Sequence, residues 1–263
     1  MRNNFLVSKV SATVEGHKSA THLMELWRRY LEQYADHEGS VEEQVVVASY
    51  HAAEVLGRLT SILDREGKYA RVIEQRTGYF RQGSQQAELF GDCLITGTFT
   101  IYNHFNTLAH QFLMGNAAGE QLIREVDRQV HVRVEAAGQV ERSAVALNAA
   151  FPLLSLVTIS LDPEGTATDA IREVERRFVG ASAQTKCAHD RLINGLYRLV
   201  EMMQLFVALS DSALHGRAME IAARFEEEDR TRDPLLKLRN GFCRLFELTH
   251  LVATHLEGVF KTG

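Results

Sequence analysis

Cys243, Glu247 and His250 stand four and three residues apart in the stretch CRLFELTHLVATH. On a helix, that spacing lines a thiol, a carboxylate and an imidazole along one strip. These are ligand types a transition metal accepts. Glu247-Leu248-Thr249-His250 has the ExxH spacing by which di-iron bundles bring a carboxylate and an imidazole to one metal. A complete site of that kind needs a second such motif and further carboxylates, and the chain holds one ExxH only. His255 falls about 140° round the helix from His250, off the same face. The plainer reading is a buried helix whose ionisable groups trim a packed surface, and the balance favours it.

A second polar strip lies upstream. Asp190, Asn194, Tyr197, Glu201 and Gln204 follow steps of four and three through a segment otherwise rich in Leu, Met and Phe. One reading turns this strip to solvent. The other makes Tyr197, Glu201 and Gln204 the lining of a ligand pocket opposite Cys243, Glu247 and His250, where burial would raise the pKa of Glu201. Haem or a transition metal are the cofactors such a pocket would suit. The plainer reading requires no cofactor.

Other combinations offer less. His51, Glu54 and Arg58 read as a surface ion-pair chain. His104 and His110 are six apart and point to different faces. Cys187 lies close to His189, but a catalytic Cys/His pair is assembled in space and not by adjacency. The chain has no phosphate loop, dinucleotide turn, nucleophile elbow, HExxH, kinase signature or EF-hand loop. This weighs against an enzyme of those classes.

Helices must carry these strips. Only three prolines interrupt 263 residues, so long helices are permitted almost everywhere. Ser40 and Glu43 form a capping box, followed by an apolar stripe from Val41 to Ile62 that should stop near Gly67. Leu23, Leu26, Trp27, Tyr30, Leu31 and Tyr34 form an earlier stripe. Later helices are expected over 168–179, from Ser182 or Thr185 to Leu209, after Asp211 or Ser212, and from Asp233-Pro234 onward. Phe246, Leu248 and Leu251 make the last helix apolar nearly all round. Two neighbours must cover it, and a second copy of the chain could supply one.

Four stretches stay open between helix and strand: 5–14, 93–102, 130–135 and 154–161. They alternate apolar and polar residues and are rich in β-branched side chains. In 93–102, a helical spacing from Phe90 to Phe112 persists for longer and is preferred. The expected fold is therefore mainly α, a multi-helix bundle, with a small antiparallel sheet as the α+β alternative. A single domain over 1–263 is expected, with the Asp162-Pro163-Glu164-Gly165 turn separating 1–165 from 166–263 if it divides.

Net charge is −5 with both signs interspersed, which speaks against nucleic acid. Three scattered cysteines suit a reducing compartment. The start lacks a signal-peptide core, and Ala149–Leu161 is too short and too interrupted to span a bilayer. The expectation is a cytoplasmic protein without a membrane partner. Its first functional reading is a non-enzymatic helical interaction or regulatory protein that self-associates as a homo-oligomer. The alternative is a helical small-molecule, haem or metal-binding protein, including an oxidoreductase, with its pocket between the 185–209 and 234–260 helices.

Overall fold

The computed structural model describes residues 40–262 except 136, 186 and 229, without the side chains of 182, 183, 225–228, 261 and 262. The described residues contain nine α-helices and no strand. They are α1 (Val41–Leu63), α2 (Ala70–Gln86), α3 (Phe90–Leu113), α4 (Ala117–Glu135), α5 (Gln139–Ser160), α6 (Thr168–Gln184), α7 (Ala188–Ser210), α8 (His215–Glu228) and α9 (Pro234–Thr262). A 3-10 turn, Ser212–Leu214, precedes α8. The Leu23–Tyr34 stripe and the 5–14 stretch lie outside the described residues.

The odd-numbered helices form an inner ring. Helix α1 packs on α3, α3 on α5, α5 on α7, α7 on α9, and α9 back on α1. Partners across each seam advance together along both helices. On α1 and α3, Ser49 faces Gly97, Gly57 faces His104, and the Thr60 carbonyl accepts from Gln111. On α1 and α9, Gln44 meets Arg239, His51 meets Phe246, and Arg58 meets Glu257. The inner helices are therefore mutually parallel. Each even-numbered helix returns antiparallel on the outside, packed on the two inner helices it joins. The ring interior is filled: Phe105, Phe206 and Phe242 are fully buried, and Phe112 meets Phe206 across the ring, edge to face at 6.4 Å.

The local signals of the sequence act largely as expected. Ser40 and Glu43 make both bonds of the capping box. Helix α1 ends at Leu63, and Gly67 takes a positive φ of 66° in the following turn. Asp233 accepts from the amide of Leu235 at the start of α9. Helix α6 continues past Gly180 to Gln184, and α7 begins only at Ala188, capped by the Cys187 sulfur.

All three described ambiguous stretches are helical: 93–102 lies in α3, 130–135 in α4, and residues up to Ser160 of 154–161 in α5. The sheet alternative fails there for a specific reason. Thr96, Thr98 and Thr100 donate their hydroxyls to the carbonyls of Asp92, Leu94 and Thr96, four residues back. Each polar side chain thus satisfies itself against its own helix and sits inside an apolar bundle at little cost. In VHVRVE, Val130 is buried and Val132 is 62% exposed, a helical rather than an alternating division.

Helices α5 and α7 are the two described helices long and apolar enough to cross a membrane. Both are inner-ring helices, covered by neighbours on either side and by α4, α6 and α8.

A polar network ties the outer layer to the ring. Arg76 of α2 donates to Thr107 and to Asn106 Oδ1 of α3. Asn106 Nδ2 donates to Asp127 of α4 at 2.9 Å, and the Tyr102 hydroxyl donates to the same carboxylate. Buried polar groups that are all partnered in this way hold three helices in one arrangement.

Close approach between ring helices depends on missing side chains. A Cβ on Gly97 would lie 2.5 Å from Ser49 Oγ, and one on Gly241 of α9 would lie 2.6 Å from Leu196 Cδ2 of α7. Gly97→Val should therefore destabilise the protein by about 1–3 kcal/mol, the usual cost of overpacking. Thermal denaturation would show a midpoint several degrees lower with helicity retained. An unchanged midpoint would mean that α1 and α3 do not meet as described.

Candidate functional site

The two polar strips belong to α7 and α9, and α8 lies across both. The α7 strip does not line one pocket. The Tyr197 hydroxyl donates to the Lys237 carbonyl of α9, a long contact of 3.4 Å. Glu201 accepts from Arg198 at 2.9 Å and lies 3.3 Å from Arg177 of α6. Gln204 reaches the Met219 sulfur of α8. The strip is thus shared among three neighbouring helices. Burial raises the pKa of Glu201, as expected for a carboxylate in that position, against the lowering effect of Arg198, Arg177 and Arg244.

The α9 strip faces α8. Glu247 is ion-paired with Arg224, and His250 is half-buried with Nε2 3.4 Å from Thr254 Oγ1. Cys243 is half-buried, one turn before Glu247. Among the described residues, no group of three or more His, Cys, Asp and Glu side chains is gathered closely enough to hold a metal ion. Glu201 and Glu247 are instead held by arginines.

Between α8 and α9 runs a cleft of about 690 Å³. Arg217, Glu220 and Arg224 of α8 line one wall; Glu247, His250 and His255 of α9 line the other. Leu214, Ile221 and Leu251 give it apolar surface. His250 and His255 share this cleft although they lie on different faces of α9. A groove closed by a second helix spans a wider arc of its partner than a single ligand-binding strip does, so the angular argument that separated them does not apply.

At one end of the cleft, His255 Nε2 lies 2.7 Å from Asp211 Oδ2. Asp211 is buried, and its other oxygen accepts from the Ala213 amide at the 3-10 turn. The carboxylate fixes the orientation of the imidazole. An oriented imidazole beside guanidinium groups can hold an anion or pass a proton. Sequence reading missed this pair. The two residues are 44 positions apart, and nothing in either local pattern joins them.

The trio on α1 is also placed differently from expectation. His51 is buried, and its ring lies 5.9 Å from that of Phe246, which stacks on His250 at 5.8 Å. Arg58 donates to both oxygens of Glu257, at 2.6 and 2.5 Å, with both side chains nearly excluded from water. The surface ion-pair reading is corrected: His51 and Arg58 belong to the α1–α9 seam. A helical wheel of α1 alone cannot show that α9 covers that face.

Compared with family models, curated proteins and solved structures, the chain matches none.

Buried imidazoles give the fold a pH signature. Burial lowers the pKa of His51 to about 4, and that of His104, helped by the charge of Arg76, to about 3. The unfolded chain protonates both near 6.5. Their stabilising effect is complete above that value and is lost as pH falls towards 4, because the unfolded state takes up protons first. The raised pKa of Glu201 acts in the opposite sense. Denaturation midpoints should fall between pH 6.5 and 4, and His104→Gln should flatten that acid limb. A His104→Gln profile parallel to the parent would show that His104 does not titrate in this way.

Proposed function

We propose that the chain is a non-enzymatic helical interaction protein with a regulatory role, which engages protein segments through the α8/α9 cleft and self-associates through its outer layer. The observation that carries this reading is how the ionisable groups are used. Glu201 sits with Arg177 and Arg198, Glu247 with Arg224, Glu257 with Arg58, and Asp211 with His255. Acid–base catalysis favours groups with tuned pKa values and reach to a substrate proton. Here the carboxylates mainly join helices. The cleft offers the half-buried Ile221 and the exposed Arg217 on its wall, which suits an apolar side chain flanked by a carboxylate.

Self-association is supported by α2. Val72 and Tyr79, seven residues apart, project on one face, with Tyr79 64% exposed. An antiparallel two-fold pairing of α2 helices would set Val72 of one copy against Tyr79 of the other, a self-complementary contact. Leu248 and Leu251 do not contribute, because both are buried within the single chain. Light scattering should give twice the monomer mass, and Tyr79→Glu should restore the monomer with helicity intact. A monomeric parent protein removes the self-association part of the proposal.

A second reading takes the same cleft, beside His250 and His255, as the place of a small ligand or haem near the α7–α9 pair, with redox chemistry. Freshly purified protein would then show a Soret band or bound metal. A colourless, metal-free preparation would remove this reading and leave the first.

A further inference from the structure

A second groove opens on the far side of the outer layer, where α4 and α6 stand apart over α5. It has a volume of about 660 Å³, and its surface is mostly apolar, from Val126 and Val130 of α4, Val145, Ala149 and Pro152 of α5, and Phe178 of α6. The polar group on its floor is already engaged. Asn148 Nδ2 donates to the Ala144 carbonyl at 2.6 Å and to the Arg191 carbonyl at 3.3 Å. The floor therefore offers a ligand van der Waals contact more than hydrogen bonds.

Charge is confined to one end. Because α4 runs antiparallel to α5, its last turn lies beside the first turn of α5, which brings Arg133 to the end held by Glu141 and Arg191. Arg191 pairs with Glu141, yet its Nε is shut from solvent without a hydrogen-bond partner among the described residues. Arg133 is exposed, and no described carboxylate pairs with it. Two guanidinium groups thus face one carboxylate. The parallel ring also places the N-termini of α5 and α7 at this end, adding partial positive charge. An apolar trough with a surplus cation at one end is complementary to a molecule with an apolar body and a single anionic head.

We propose that this groove binds an unbranched acyl carboxylate, with its chain along Val126, Val130, Val145, Ala149 and Phe178 and its carboxylate at Arg133, beside the Arg191–Glu141 pair. The eleven steps along α5 from Glu141 to Pro152 rise about 16 Å, the reach of an extended chain of roughly a dozen carbons. Glu141 sets the number of charges accepted. With one cation in surplus, a monoanion is matched and a dianion is not.

The test is titration calorimetry of the full chain with dodecanoate below its micelle concentration. The expected result is saturable binding of one molecule per chain, with dodecanol at least tenfold weaker. Arg133→Glu, at an exposed helix end, should weaken dodecanoate at least tenfold and leave dodecanol unchanged, while Arg133→Lys keeps most of the affinity. Ala149→Phe, which fills the trough, should abolish both. If that variant fails to fold, the Arg133 pair of variants decides alone. Equal affinity for dodecanoate and dodecanol overturns the proposal. So does an unaltered dodecanoate affinity in Arg133→Glu, or unsaturable uptake of the kind a detergent shows at any apolar surface.

Discussion

The Arg58 guanidinium, meeting the Glu257 carboxylate through two hydrogen bonds, joins the first described inner helix to the last. The other inner seams connect helices that follow one another around the ring with one outer helix between them; this seam joins residues 199 positions apart. Removing one partner of a buried pair of this kind leaves an unmatched charge out of water, typically at about 3–5 kcal/mol. The bidentate geometry also sets register, because a guanidinium fork accepts a carboxylate in one orientation. Closure in that register fixes which faces of α1 and α9 are buried, and so carries His51, Phe246 and His250 into the seam.

A ring of parallel helices has an electrostatic consequence. Five N-termini lie at one end, and their partial positive charges accumulate there. Acidic residues occupy first turns at that end: Glu42 and Glu43 in α1, Asp92 in α3, Glu141 in α5 and Asp190 in α7. Several do double duty across a seam, since Asp92 accepts from Gln139 and Glu141 pairs with Arg191. The four described outer helices run the other way, so each dipole of α3, α5, α7 and α9 has an opposed neighbour. The same arrangement that builds the ring thus concentrates charged side chains at its ends and edges and keeps the middle apolar.

The sequence disclosed the helices well and their arrangement hardly at all. Stripes, the capping box and the Asp233-Pro234 start are local, and α1 and α9 follow them closely. The strand-like alternation in 93–102 is an accident of threonine, whose hydroxyl can bond the carbonyl four residues back while its methyl packs. Ring closure was not legible, because it depends on which stripe meets which. The glycines that permit close approach, Gly97 and Gly241, read as ordinary helix glycines until Ser49 and Leu196 are seen opposite them.

The candidate residues repeat that division. Spacing placed Cys243, Glu247 and His250 on one strip of α9 and Tyr197, Glu201 and Gln204 on one strip of α7, and both are helical there. What each strip does is decided by helices that spacing cannot see. Arg177 comes from α6 and Arg224 from α8, and each meets a carboxylate that reads from sequence as free to bind something else. The wall opposite the α9 strip is helix α8. Helix α8 is held to α9 partly by the exposed Arg224–Glu247 pair, and exposed pairs contribute only about 0–1 kcal/mol. A ligand that competes for Arg224 therefore meets a small penalty there. Competition for Arg58 would open the ring itself. The difference in burial between these two arginine–glutamate pairs makes Arg58–Glu257 costlier to break than Arg224–Glu247.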